Sequence, residues 1–171
     1  MAGSLMRDAF IHHTWATKRL ADACLELTPE QLTAEVRGTY GSILGTLRHV
    51  VAGDWFYLGV LTGRRPALEP DPSTMDIAEL STAIDILEAG WAGLLAGDLD
   101  PDAMVTEVDP EDGFQRDATL GVHLAQVLHH GNEHRAQICT AFTVLGVEPP
   151  DVSVFKFALE TGRSTEVLPP S

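Results

Sequence analysis

The sequence predicts an all-α fold: a four-helix bundle with a long crossover connection and a short C-terminal helix. Two observations carry this. Apolar residues recur at helical steps over four long stretches, and those stretches are bounded by cap residues, glycines and prolines. At 171 residues the chain has the length of one domain. We place that domain at residues 1–160 and read 161–171 as a flexible tail.

The first helix is expected from about Leu5 to Leu27, with Met6, Phe10, His13, Leu20, Ala21, Cys24 and Leu27 on one face. Pro29 biases Thr28 away from helix and can itself begin a short turn through Leu32. Ser42 is a good N-cap for the second helix, whose stripe of Ile43, Leu47, Val50, Val51, Leu58 and Leu61 runs to Gly63. The prolines at 66, 70 and 72 make the next segment an irregular connection. Ser73 or Thr74 is expected to open the third helix, with Ile77, Leu80, Ile84, Leu87, Trp91 and Leu94 as its seam and Gly97 as its stop. From Met104 to Ala118, Val105 and Val108 alternate with polar residues around Asp109-Pro110-Glu111-Asp112-Gly113, which fits either a short hairpin or a loop. Thr119 caps a long fourth helix through Leu145, closed by Gly146 and by Pro149-Pro150 beyond it. Val152 to Glu160 fits a short packing helix.

With 44% hydrophobic and 21% charged residues the composition is that of a folded protein. The net charge is −14, from 11 basic and 25 acidic side chains, and it would repel a phosphate backbone, so no nucleic-acid partner is expected. No stretch approaches the roughly 20 apolar residues of a membrane span, and Arg7, Asp8 and two histidines interrupt any signal-peptide core. No membrane partner and a cytoplasmic location are expected. Cys24 and Cys139 lie within apolar helical patterns and read as reduced thiols.

The chemistry concentrates on histidine. His130 and His134 are four apart on the fourth helix and stack on one face, so both can ligate one metal. Neutral imidazoles bind a borderline divalent ion at about 2.0–2.1 Å without cancelling its charge. A catalytic site wants a third protein ligand and an open position. His49 on the second helix is the candidate, with Gly45 and Gly53 four residues to either side. A helical glycine costs up to about 1 kcal/mol relative to alanine, so the pair suggests that space is needed beside His49. Close helix packing around a hydrogen-bonded core histidine fits the same spacing.

Several segments carry a resemblance. Gly41-Ser42-Ile43-Leu44-Gly45-Thr46-Leu47-Arg48-His49 followed by Asp54-Trp55, the run Trp15 to Leu20, and His130-Gly131-Asn132-Glu133-His134-Arg135-Ala136-Gln137-Ile138 resemble the second, first and fourth helices, respectively, of the DinB-like (YfiT-like) family. Leu145 to Pro150 with Phe155 and Phe157 is similar to that family's ending. The resemblance implies a bundle whose metal ligands are His49, His130 and His134. One departure is visible: Glu133 and Ala136 stand where the family motif often has His and Gly.

The same letters, His130 to His134, also fit the HxxEH pattern of inverted zinc proteases, with Glu133 as general base. A helical domain of this size offers no sheet edge for a peptide substrate. Glu133 is carried as a candidate catalytic residue beside the reading of a solvated side chain. His123, two turns before His130, is a candidate extra ligand, a donor that hydrogen-bonds a ligand from behind, or a core histidine. Gln137 is a candidate to orient a ligand or bind substrate, or a surface amide. His12 and His13 on the first helix can reach toward the metal or sit as ordinary bundle residues. Arg135 and Asp54 read as structural charges, paired across helices, and Trp15, Trp55 and Trp91 as core or interface anchors.

These features lead to one divalent transition metal ion, Zn²⁺ or Ni²⁺, that lowers the pKa of a bound thiol or water acting on a small-molecule substrate. The resemblance admits both chemistries, since the family includes bacillithiol and mycothiol transferases as well as hydrolases, and it tilts toward a low-molecular-weight thiol cosubstrate. The alternative is a non-catalytic metal-binding bundle, a homodimer through helix faces. A cavity reaching the metal separates the two.

Overall fold

Local chemistry sets where each helix starts. In the computed structural model, which describes residues 3–68, 70–109 and 113–167, helix α1 spans Gly3–Cys24 and the short α2 spans Pro29–Thr33. Helix α1 ends three residues before the expected Leu27, because Leu25, Glu26 and Leu27 turn on tighter i→i+3 bonds to the carbonyls of Asp22, Ala23 and Cys24. A reciprocal capping box of Thr28 and Gln31 starts α2, with Pro29 in its first turn. Helix α3, Ile43–Thr62, begins at the Ser42 cap and ends at Gly63, whose φ of +69° is the left-handed conformation that favours glycine.

Helix α4, Ile77–Leu95, opens not at Ser73 or Thr74 but at Asp76, in a capping box with Glu79. The Asp71 carboxylate accepts from both the backbone N–H and the hydroxyl of Ser73, and that local turn consumes the earlier candidate. Strands β1, Met104–Val108, and β2, Gln115–Thr119, form an antiparallel hairpin pairing Met104 with Thr119 and Val108 with Gln115. Its inward face carries Val105 and Glu107, while Val108 is exposed, because residues three apart fall on opposite faces of a strand. The turn residues 110–112 and the tail residues 168–171 lie outside the described residues.

Helix α5, Leu120–Val144, starts at the Thr119 cap and closes with a bond from Val147 N–H to the Phe142 carbonyl around left-handed Gly146. Ser153 caps the last helix, α6, Val154–Glu160.

The bundle is made of α1, α3, α4 and α5. Helix α1 packs against α4 and α5, and α3 packs against the same two, so α1 and α3 stand across the diagonal. The apolar seams close around Phe10, Leu20, Leu47, Leu58, Leu80, Leu87, Trp91, Ile138 and Phe142, all nearly sealed from water. Phe10 and Trp91 meet at the centre with ring centroids 4.8 Å apart. The hairpin sits beside α3 and α5, and α6 lies against α1. No helix among the described residues is long and apolar enough to cross a membrane.

Candidate metal centre

Helices α3 and α5 are direct neighbours, and that packing brings their histidines together. One ring nitrogen from each of His49, His130 and His134 lies within 4.8 Å of the others. The Nε2 atoms of His49 and His130 are 2.9 Å apart. Two imidazoles in this position share a single proton, and once it leaves both lone pairs face one region.

Each ring is held by a neighbour. Gly53 lets His130 lie against α3: a Cβ there would stand 2.8 Å from His130 Cε1, well inside contact distance. The space expected beside His49 is therefore filled by the His130 ring itself. Gly45 serves something else, since a Cβ there would meet the Ser42 cap hydroxyl at 3.1 Å. His134 Nδ1 bonds the Gln137 side-chain oxygen at 2.9 Å, and because an amide oxygen only accepts, the proton belongs on Nδ1 and the Nε2 lone pair is free. The same Gln137 oxygen accepts the backbone N–H of Tyr40 at 3.2 Å. The Tyr40 ring stacks on His49 at 4.2 Å and meets His134 edge-on at 5.0 Å.

The donor set fits a borderline transition metal. Burial, followed by the neighbouring His134 and His49, pushes the His130 pKa down to about 4. Burial and then His134 lower that of His49 as well. Both rings are therefore neutral at pH 7, the state in which imidazole ligates without a proton to displace. Three nitrogen donors without a carboxylate suit Zn²⁺ or Ni²⁺ better than an oxygen-seeking ion.

A pocket of about 610 Å³ opens on His49 and His130. Trp55, Phe56, Tyr57 and Arg65 line it from α3 and the following turn, and Glu107, Phe114 and Arg116 from the hairpin. Trp55 is thus a pocket wall as well as an anchor: its indole N–H donates to the Pro66 carbonyl at 2.7 Å.

The other candidate residues lie elsewhere. His12 bonds the Val152 carbonyl at 2.9 Å and meets the Phe157 ring, holding down the segment that leads into α6. His13 is sealed in the core, with Nε2 2.7 Å from Asp54 Oδ2 and Nδ1 3.0 Å from the Arg135 guanidinium. Asp54 and Arg135 are linked across helices through this imidazole, which reaches in from the diagonal helix. Gly131 makes room for it, since a Cβ there would collide with both His13 and Arg135. His123 is buried against the hairpin, its two ring nitrogens facing the Val105 carbonyl at 3.3 Å and the Glu107 carboxylate at 3.4 Å. Glu133 is exposed and does not line the pocket. Neither cysteine is in a disulfide, and burial raises the Cys24 thiol to about 12, which keeps it protonated.

Tyr40, Arg65, Arg116 and Glu107 escaped the sequence reading. They sit in loops or on the hairpin, where no periodicity announces a position.

Fold and site together define a helical-bundle protein with a candidate trihistidine metal centre at an open pocket. The sequence profile of the DinB family matches residues 1–165, and the chain belongs to that family. Among curated proteins, none matches the chain closely enough to count as a relative.

Proposed function

We propose that the protein is a metal-dependent enzyme in which His49, His130 and His134 hold one divalent transition metal ion, Zn²⁺ or Ni²⁺. In this reading a low-molecular-weight thiol, or water, is activated against a small-molecule substrate. One observation carries it: one ring nitrogen from each of three histidines converges beside an open pocket of about 610 Å³, and no fourth His, Cys, Asp or Glu joins their cluster among the described residues. A purely structural site would be closed by a fourth protein ligand. When bound, such an ion supplies Lewis acidity that lowers the pKa of a thiol or water it coordinates.

The chain's own residues do the rest. Gln137 keeps the His134 proton on Nδ1, and Gly53 sets the depth of the His130 ring. Tyr40 covers one face of His49 and so directs access toward the pocket side. Trp55, Phe56 and Phe114 give the pocket an apolar wall against which an organic substrate can shed water.

Metal analysis of purified protein comes first, with about one ion per chain expected and none held tightly by His134→Ala at unchanged helical content. A screen of thiols with electrophiles, followed by loss of free thiol, then separates transfer from hydrolysis. Wild-type protein that takes up neither Zn²⁺ nor Ni²⁺ would defeat the proposal.

A further inference from the structure

Two arginines line the pocket beside His49 and His130, and they differ in one respect. The Arg116 guanidinium is bonded to the Glu107 carboxylate. Arg65 has no ion-pair partner among the described residues. It is nonetheless held in place. Its Cγ would stand well inside contact distance of a Cβ on Gly59, so the missing side chain makes a groove for its stem along α3. Its guanidinium lies over Trp55 at 5.3 Å and over Phe56 at 5.4 Å, both walls of the same pocket. The next residue, Pro66, accepts the Trp55 indole N–H, which pins the backbone just past Arg65.

A guanidinium stacked on aromatic faces keeps its in-plane N–H donors turned to its edge, the geometry that meets a planar carboxylate in pairs. It cannot neutralise itself by losing a proton. Three acidic groups line the pocket as well: Glu107 is bonded to Arg116 and lies 3.4 Å from His123, Asp71 accepts from Ser73, and Asp109 stands at the end of β1, its backbone N–H donating to the Phe114 carbonyl in the hairpin turn. The chain's charge of −14 opposes large polyanions, but salt screens that field beyond about 8 Å, so a small anion is judged by its local contacts.

We propose that the pocket takes a small molecule bearing a carboxylate, with that group on Arg65 and its apolar body along Trp55, Phe56 and Phe114. The remaining end then lies toward His49 and His130. This deepens the proposed function and rests on its reading of the pocket as the substrate site.

Benzoate and benzyl alcohol share an apolar body and differ in charge. Each is titrated into zinc-loaded and chelator-treated protein while the Trp55 indole N–H resonance is followed by NMR. Benzoate should bind about tenfold tighter than benzyl alcohol, the scale of a charge-assisted contact at a solvated site, with or without metal. Arg65→Met should erase that preference, read as the ratio of the two probes' affinities in the variant itself, and Arg65→Lys should keep part of it. Equal binding of the two probes to wild type, or a preference that survives Arg65→Met, would overturn the proposal. So would a preference that vanishes with the metal, which would place the carboxylate on the ion. Failure to take up zinc with the benzoate preference intact would strike the metal reading alone.

Discussion

Gln137 Oε1 lies 2.9 Å from His134 Nδ1 and 3.2 Å from the backbone nitrogen of Tyr40, so one amide oxygen ties one candidate ligand to the residue that stacks on another, His49. Outer partners of this kind commonly contribute about 10–100-fold to metal affinity. Gln137→Ala should weaken Zn²⁺ binding within that range, and Gln137→Glu, which keeps an acceptor at the same reach, should restore most of it. Competition with a chromophoric chelator measures both. Equal affinity of wild type and Gln137→Ala would leave the amide without a role in holding the ring.

Gly53→Ala tests the depth of the His130 ring. Overpacking of this kind costs about 1–3 kcal/mol, against a helix-propensity gain of up to about 1 kcal/mol. Because the collision is with the ring rather than with backbone, the loss should fall on Zn²⁺ affinity, about tenfold per 1.4 kcal/mol, with circular dichroism unchanged. Gly45→Ala is the control, since its neighbour is the Ser42 hydroxyl. Matching losses in the two variants would mean that ring depth is not what Gly53 sets.

Much of the fold was legible because helix ends are decided locally. Ser42, Gly63, Thr119 and Gly146 mark their boundaries by chemistry that acts over four residues. Asp76 was missed because Ser73 and Thr74 look equally able to cap, and only the bond from Asp71 to Ser73 decides against them. At the site, the four-residue step from His130 to His134 is visible in the sequence. What lies against each ring is set by packing: Gly53 and Gly45 look alike in sequence, yet only Gly53 faces His130. The link between Asp54 and Arg135 was half visible, and the intervening His13 was not, because it comes from the diagonal helix.

Removing Asp54 should be costly. Arg135 is 4% exposed, and burial already lowers its pKa to about 10 even though Asp54 opposes that fall. Stripping a buried charge of its counterion costs about 3–5 kcal/mol. Asp54→Ala should lose about that much in urea unfolding, and adding Arg135→Met should recover part of it. A loss below about 1 kcal/mol would mean that the chain rearranges to solvate the arginine.

Glu133→Gln should leave turnover and metal content near wild type, because the side chain is exposed and lines no part of the pocket. A general base would show a fall of about 10²-fold or more. A drop of that size with metal retained would return Glu133 to the chemistry.

Acid should weaken the metal-free fold through His130. His130 titrates near 4 in the folded chain against an ordinary 6.5, a fall caused first by burial and then by His134 and His49, and burial lowers His49 too. Between about pH 4 and 6.5 the unfolded chain therefore binds protons that the folded chain refuses. Stability of the metal-free protein must rise with pH across that window, so acidification from pH 7 costs stability until the pH falls below about 4, where His130 is protonated in both states. Since part of the ring is in contact with solvent, the slope should fall short of a fully buried group's. Urea unfolding in chelator at pH 7, 6, 5 and 4.5 measures it, and His130→Gln, which cannot titrate, separates this histidine from the carboxylates elsewhere in the chain. The variant should flatten the slope between pH 4.5 and 6.5 by up to one proton's worth. Identical slopes in wild type and variant would mean that His130 takes up its proton without opposing the fold, and that the close pair it forms with His49 opens to accept it.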